Sequence, residues 1–333
     1  MSIEYERSRQ EATFYSPLED FEETTVEVEV RVDPLTDRQT RLVPESFLVA
    51  EDPDIEAAVA DDEDCFFCPD AVEDVTPEYP DFVGTERGSV GEATSFPNLH
   101  PYGSHSNVVV LTEEHFVPME ALGEDRLADG FAAALGYVER VFETDADAAV
   151  GSVNMNFLPS AGSSIVHPHM QTLVDDRGTN RQRRRLAALR AYHDRTGSRY
   201  VEDLLARERD GERYVGATGA VEWYAPFAPR HHRHVRGVLP TGLPSAADDA
   251  VSDLASGLTA VLESYAEAGL NSFNLGLHLA PGEQATRPVV DVVGRSVFDE
   301  YYWSDATFFE TIHDEGVIDE APEDYAGDVA DRL

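Results

Sequence analysis

The chain contains no lysine, and all 25 of its basic residues are arginine. It has 65 acidic residues, which bring the formal net charge to −40. A protein binds nucleic acids or anionic membranes through clusters of positive charge on its surface, so we expect neither as a partner. A lysine-free acidic surface predicts a cytoplasm at molar salt, where the Debye length falls to about 3 Å and self-repulsion is screened. An acidic mesophilic protein is the alternative.

Cysteine and long apolar runs are also scarce. The only cysteines are Cys65 and Cys68, spaced as Cys-Phe-Phe-Cys, which excludes a framework of several disulfides. No apolar run approaches the ~20 residues that cross a bilayer. The N-terminal residues lack the basic and apolar regions of a signal peptide. The sequence therefore predicts a cytoplasmic protein.

Residue periodicity predicts an α+β fold built from a duplicated unit. Alternating apolar residues predict a hairpin at 24–43. After it we predict a strand at 106–112, a helix at 121–143, and strands at 153–158 and 169–174. After an arginine-rich helical stretch at 180–209 the same order returns, at 235–240, 246–268, 271–279 and 289–293. We predict a first unit at 1–178, a helical connector at 179–210 and a second unit at 211–333. Chance similarity of element order is the alternative.

The segment at 167–171, His-Pro-His-Met-Gln, carries the strongest chemical signal. In a strand, His167, His169 and Gln171 project from one face. A neutral imidazole can attack phosphorus, so His169 is the candidate nucleophile, with its other nitrogen held by a backbone carbonyl. Gln171 can bind a phosphoryl oxygen. Phosphate donors are expected from the turn just upstream, which holds Gly162, Ser163 and Ser164.

The two cysteines predict half of a tetrahedral metal site. The remaining ligands must be distant histidines, and His115 and His167 are the best candidates because each lies at a strand end. A redox dithiol and two small buried side chains are the alternatives.

Other histidines are less informative. The run at 231–234, His-His-Arg-His, is compatible with a metal or phosphate cluster, but we favour a solvated or interface turn. His100 and His105 flank a short turn, and either is a candidate phosphate contact.

Taken together, these motifs resemble galactose-1-phosphate uridylyltransferases of the histidine-triad superfamily. Residues 33–36 are similar to that family's Asn-Pro-Leu-Thr, 65–69 to its Cys-x-x-Cys-Pro, and 96–99 to its Phe-Pro-Ala-Leu. Residues 103–115 resemble its Gly-x-His strand, which ends in a zinc-ligand histidine. Its signature is matched by Asn156, Gly162, Ser164, His167, His169 and Gln171.

The resemblance implies a double-displacement transfer of UMP between a UDP-hexose and a hexose 1-phosphate. His169 would carry the uridylyl group, Ser164 and Gln171 would contact phosphate, and Phe96 and Asn156 would contact the nucleotide. One structural zinc ion would be held by Cys65, Cys68, His115 and His167. The resemblance also implies a homodimer.

The departures from the family pattern bear on specificity. Thr94 and Ser95 precede the Phe-Pro motif where the family has other residues, and the arginines expected after the first hairpin are absent. In the second unit the expected histidines are replaced at 287–289, leaving His278 and Asp291, so no second metal and one working site are expected. A dinucleoside polyphosphate phosphorylase, a nucleotide hydrolase and a non-catalytic nucleotide-binding relative are the alternatives.

Overall fold

The computed structural model describes residues 3–43, 53–59, 65–299 and 304–333, so residues 1–2, 44–52, 60–64 and 300–303 lie outside the described residues. The strands are β1 Glu6–Ser16, β2 Glu22–Val32, β3 Gln39–Leu42, β4 Gly88–Val90, β5 Ala93–Pro97, β6 Asn107–Val110, β7 Val150–Phe157, β8 His169–Asp175, β9 Tyr214–Thr218, β10 Val221–Tyr224, β11 Val235–Val238, β12 Ser272–Leu279, β13 Val289–Arg295 and β14 Gly316–Ile318. The helices are α1 Ile55–Val59, α2 Val72–Val75, α3 Gly123–Thr144, α4 Asn180–Thr196, α5 Tyr200–Glu208, α6 Asp249–Glu267, α7 Phe308–His313 and α8 Pro322–Ala330.

A ten-stranded sheet shows the predicted duplication. Its order is β4-β5-β6-β8-β7-β12-β13-β11-β10-β9, so the second five strands repeat the first five in mirror order around the β7–β12 pair. Helix α3 connects β6 to β7, and α6 connects β11 to β12. The α+β fold with a duplicated unit is therefore confirmed. The unit boundaries at 178 and 210 stay predictions.

Backbone hydrogen bonds define which residues correspond in the two units. The carbonyl of Pro168 accepts from the amide of Leu111 at 3.0 Å, and the carbonyl of Pro288 accepts from Leu239 at 3.0 Å. His169 therefore corresponds to Val289, so the second unit has no imidazole at the nucleophile position. Strand β7 pairs with β8 in the first unit, and β12 pairs with β13 in the second. Comparing the two registers shows that residues 150–157 of β7 correspond to residues 272–279 of β12. Similarity of the residues alone matches 152–157, Ser-Val-Asn-Met-Asn-Phe, with 272–277, Ser-Phe-Asn-Leu-Gly-Leu, and this match is off by two residues.

The two faces of this sheet are covered differently. Helices α3 and α6 bury the core on one face, where Phe131 and Leu258 are fully buried. On the opposite face of the second unit, α4 and α5 pack Leu189 and Leu205 against Val289. The same face of the first unit carries His169 instead. The predicted connector at 179–210 thus covers the position where a second active site would lie.

A second sheet of four strands, ordered β1-β2-β3-β14, includes the predicted hairpin. Strand β1 pairs with β2 over eleven residues, yet ten of its own residues are exposed. Sequence periodicity missed β1 because a strand exposed on both faces has no buried stripe. In the described ranges, no helix combines the length and hydropathy needed to cross a bilayer.

The packing of α6 makes a testable prediction. Gly257 faces Trp223, which is fully buried, and a Cβ at Gly257 would overlap the indole ring. We expect Gly257→Ala to lower the free energy of unfolding by about 1–3 kcal/mol, because the core cannot expand without strain. Gly136→Ala on α3, where a Cβ meets open space, is the control and should be neutral or raise it by about 0.5–1 kcal/mol. Urea unfolding measures both, and equal effects would contradict the prediction.

Candidate active site and metal centre

Four side chains from three separated segments converge beside β6 and β8. They are Cys65, Cys68, His115 and His167, whose ligand atoms all lie within 4.8 Å of one another. The Nδ1 atom of His167 is 3.7 Å from both sulfur atoms, and Nδ1 of His115 is 3.7 Å from Sγ of Cys68. These are the four residues that the sequence analysis singled out for a metal.

The spacing of these atoms fits a metal ion. A tetrahedral zinc ion with Zn–S about 2.3 Å and Zn–N about 2.05 Å separates a sulfur from a nitrogen ligand by about 3.6 Å. The Nε2 atom of His167 donates to the carbonyl of Thr112 at 2.8 Å, which leaves Nδ1 with its lone pair toward the sulfurs. Metal-binding histidines are commonly oriented by such a carbonyl. The cluster can therefore hold one metal ion.

His169 is the first residue of β8 and its imidazole is buried. Its Nδ1 donates to the carbonyl of His167 at 2.9 Å, the type of acceptor expected from the sequence, so Nε2 carries the lone pair. Burial lowers the pKa of His169, and the hydrogen bond to His167 raises it by less. The imidazole is therefore held neutral and in the tautomer that a nucleophile needs.

Two neighbours complete the surroundings of that nitrogen. The amide Nε2 of Gln171 is 3.4 Å from Nε2 of His169, on the same strand face. The ring of Phe67 meets the ring of His169 edge-on with centroids 5.2 Å apart. Phe96 is buried against Phe67, with centroids 5.6 Å apart. Phe67 was missed by the sequence analysis, although its place between the two cysteines was a usable signal.

The loop before His167 holds a sharp turn. Leu158 has φ of +66° and Gly162 has φ of +88°, a left-handed conformation that glycine adopts without strain. The amides of Gly162 and Ser163 donate to carbonyls of Pro159 and Leu158. The hydroxyl of Ser163 donates to the carbonyl of Ile165 at 2.6 Å. Of the three expected phosphate donors, Gly162 and Ser163 are thus engaged in the turn itself.

Ser164 is placed differently from its two neighbours. It is exposed, and its hydroxyl has no hydrogen-bond partner among the described residues. Since it follows the turn and precedes the strand that carries His169, it remains available to an incoming ligand.

Asn156 is held from the second unit. Its Oδ1 accepts from Nδ2 of Asn274 at 2.7 Å, and the same Nδ2 donates to the carbonyl of Ala161 at 2.8 Å. Arg295 in turn donates to Oδ1 of Asn274. Asn274 therefore ties the candidate nucleotide contact to the loop before His167. Sequence reasoning missed it, because the contact depends on the pairing of β7 with β12.

The remaining candidate histidines lie apart from this centre. Nε2 of His105 is 2.7 Å from Oδ2 of Asp145, and His100 is exposed. His278 lies 3.3 Å from Asp291 in the second unit. Of the expected solvated or interface turn at 231–234, the solvated form was wrong for His231 and His234, which are buried.

Comparison with known proteins agrees with this architecture. No protein-family model matches the sequence. The chain is 32% identical over 305 residues to an uncharacterised protein of Archaeoglobus fulgidus, covering 91% of each chain. Its structure is similar to an ADP-glucose phosphorylase of Arabidopsis thaliana with bound ADP-glucose, with a TM-score of 0.69 and 18% identity over 92% of this chain and 99% of that one.

A second similar structure is a uridylyltransferase, with a TM-score of 0.65 and 21% identity over 91% of this chain and 97% of that one. At sequence identities this low, the two similar structures show the fold alone. The fold implied by the resemblance to the histidine-triad superfamily is thereby confirmed. The chain belongs to one family with the Archaeoglobus fulgidus protein, and this family has the uridylyltransferase fold.

Proposed function

We propose that the protein is a nucleotidyltransferase that moves a nucleoside monophosphate from a nucleotide sugar to a phosphate acceptor through a covalent intermediate on His169. The observation that carries the proposal is the buried, neutral imidazole whose Nδ1 is fixed by the carbonyl of His167. Its Nε2 is left with a lone pair beside Gln171. A metal ion bound by the neighbouring cluster would hold His167, and thus that carbonyl, in place.

The chemistry balances without an external base. Nε2 of His169 attacks the α-phosphorus, a P–N bond forms, and the bond from phosphorus to the bridging oxygen breaks. The sugar 1-phosphate leaves as an anion with the electron pair. The proton on Nδ1 stays in its hydrogen bond to His167, so the imidazole carries positive charge while the nucleotidyl group is attached. An incoming phosphate oxygen then reverses the step and regenerates the neutral imidazole.

Neighbouring groups bind the phosphoryl oxygens. The Gln171 amide donates to a non-bridging oxygen as negative charge shifts in the transition state, and the Ser164 hydroxyl donates to the leaving phosphate. Asn156 contacts the nucleotide. Gly162 and Ser163 shape the turn that presents Ser164, and Phe96 and Phe67 form the apolar floor.

For the substrates we propose a UDP-hexose and a hexose 1-phosphate, as the resemblance implies, in a cytoplasmic homodimer. A second candidate is transfer from ADP-glucose to inorganic phosphate, which the fold shared with an ADP-glucose phosphorylase favours. The absence of the arginines expected after the first hairpin also favours a different acceptor. For the metal cluster we propose zinc, which would supply a structural crosslink between the 65–68 segment and the two strand ends.

Intact mass spectrometry tests the proposal and separates the two candidates. The protein is incubated with UDP-glucose or ADP-glucose, desalted under native conditions and weighed. A gain equal to one UMP or one AMP group identifies the base, and release of the group by hexose 1-phosphate or by phosphate identifies the acceptor. If neither nucleotide sugar adds mass while both bind tightly, the protein is a non-catalytic nucleotide-binding relative.

Asn274 provides a prediction for the nucleotide contact. We expect Asn274→Ala to raise KM for the nucleotide sugar about tenfold, because Asn156 loses the hydrogen bond that orients it. The value of kcat should change less, since His169 and Gln171 are untouched. Steady-state kinetics measures both. Asn271→Ala is the control, because among the described residues the Asn271 side chain bonds to Phe298 alone, in the second unit. An unchanged KM in Asn274→Ala would remove Asn274 from the site.

A further inference from the structure

A cavity of about 730 Å³ lies on the sheet face of the second unit. Its wall is formed by the turn between β2 and β3, the N-terminal half of α4 and the strands β10 and β11. No residue of the metal cluster lines it, and neither does His169 or Gln171. It is a separate feature from the candidate active site, and nothing in the proposed transfer uses it.

The wall of the cavity is rich in arginine. Six arginines line it: Arg38, Arg181, Arg184, Arg185, Arg230 and Arg236. The chain as a whole has 65 acidic and 25 basic residues, so this concentration is the reverse of the general surface. A local excess of positive charge in such a chain needs a specific partner.

Two carboxylates serve four of these arginines. Arg181 and Arg236 each bind Asp291, at 2.6 Å to its Oδ2 and Oδ1. Arg184 and Arg230 share Asp314, at 2.6 and 3.2 Å. Each carboxylate can balance only one positive charge, so both pairs keep an excess.

The remaining two arginines have no carboxylate ligand. Arg38 donates to backbone carbonyls, including that of Pro229 at 3.0 Å. Arg185 lies on α4 between the other groups and, among the described residues, has no hydrogen-bond or ion-pair partner. Its guanidinium group therefore keeps donors for a ligand in the cavity that it lines.

The other acidic residues of the wall do not restore the balance. Glu208 is paired with Arg213 at 2.8 Å, and Glu315 with Arg41 at 2.7 Å. Asp33 accepts from its own turn, from the amide of Thr36 at 2.8 Å, and Asp37 is exposed. Six guanidinium groups thus face four carboxylates, those of Asp33, Asp37, Asp291 and Asp314.

His234 and His278 add no charge at neutral pH, and the arginines repel one another. Burial lowers the pKa of His234 to about 3 and that of His278 to about 4. Burial likewise lowers the pKa of Arg181 to about 9. The charges of Arg230 and Arg236 also lower this pKa, whereas that of Asp291 raises it. An anion within the cavity would relieve this repulsion.

We propose that this cavity is a second binding site, which takes a small phosphorylated anion between Arg38, Arg181 and Arg185. Guanidinium groups match phosphate oxygens in paired hydrogen bonds, and the volume accommodates a ligand larger than phosphate alone. The bound anion joins α4 to the turn between β2 and β3, which are far apart in sequence. Such a ligand stabilises the connector against the second unit whether or not His169 performs transfer.

The test uses inorganic phosphate as the probe and thermal unfolding as the readout. A Ser164→Ala/Gln171→Ala protein removes the phosphate contacts proposed at the first site and serves as the background. Phosphate is titrated against potassium chloride at constant ionic strength, so that general screening is held fixed. We expect phosphate to raise the melting temperature of the background protein in a saturable manner.

Matched arginine variants on one helix then locate the effect. Arg185→Gln in that background should weaken the binding of phosphate at least about tenfold, as expected when a charged hydrogen-bond donor is lost. Arg183→Gln, an exposed change of the same charge on α4, should leave the titration unchanged. Arg38→Gln, on the opposite wall of the cavity, should weaken phosphate binding to a similar extent.

The result has clear alternatives. The proposal is overturned if phosphate does not stabilise the background protein, or if Arg185→Gln and Arg38→Gln bind phosphate as Arg183→Gln does. If Arg185→Gln does not fold, Arg185→Lys and Arg38→Gln decide the question, with Arg185→Lys retaining part of the affinity. Sugar 1-phosphates and nucleotides titrated in the same way distinguish the sources of the phosphoryl group.

Discussion

His169→Asn is expected to lower nucleotidyl transfer about 10³-fold or more, because an amide cannot form the covalent intermediate. Asparagine is smaller than histidine, polar and uncharged, like the neutral imidazole that it replaces. Binding of the nucleotide sugar should therefore persist within about tenfold, since Asn156, Ser164 and Gln171 remain. The measurements are turnover, the intact-mass adduct and the dissociation constant of the nucleotide sugar.

The control is a partly buried histidine outside the site. His193 lies on α4, and its Nδ1 donates to the carbonyl of Ser198, just beyond the helix end, at 3.1 Å. His193→Asn should retain both turnover and the adduct. If His169→Asn still gains the mass of a nucleotidyl group, His169 is not the nucleophile and the proposed mechanism fails.

Cys65→Ser is the change expected to affect the folded state most. A serine hydroxyl is a far poorer metal ligand than a thiolate, so the metal content should fall well below the about one equivalent expected for a tetrahedral site. Cys65 is buried beside Phe67, Val108 and Val110, so the loss also loosens the floor beneath His169. We expect a cost on the order of 3–5 kcal/mol in the free energy of unfolding.

The neighbouring residue offers a matched control. Phe66 lies between the two cysteines and is 52% exposed, so Phe66→Ser introduces the same side chain without removing a ligand. It should keep the full metal content and nearly all the stability. Plasma emission spectrometry and chemical unfolding with and without a chelator make the comparison. Equal metal content in Cys65→Ser and the wild type would contradict the ligand set.

Much of the site could be predicted because its key residues are close in sequence or alternate along one strand. His167, His169 and Gln171 share a face in any extended segment, and the structure places His169 and Gln171 on β8 and His167 two residues before it. The pair Cys65 and Cys68 predicts a metal site whose remaining ligands are distant histidines, and the structure brings His115 and His167 to the two cysteines. The element order likewise indicated the duplication.

Other features could not be predicted, since they depend on contacts between distant segments. The engagement of Gly162 and Ser163 inside their own turn follows from the left-handed conformation of Leu158, which residue type alone does not indicate. The two-residue shift between β7 and β12 preserves the face of every side chain, so periodicity cannot detect it. The burial of His231 and His234 follows from their contacts with Gly294 and Asp291.

The sequence by itself determined the acidic, lysine-free surface, the α+β duplication and the His169 segment, because these depend on composition and short-range periodicity. Only the tertiary structure decided that Asn274 of the second unit holds Asn156, because that contact requires β7 to pair with β12. It also gathered arginines from three separated segments around one cavity. The docking of α4 on the second unit produces that cavity, and the packing of one segment against another is a property that no local pattern encodes.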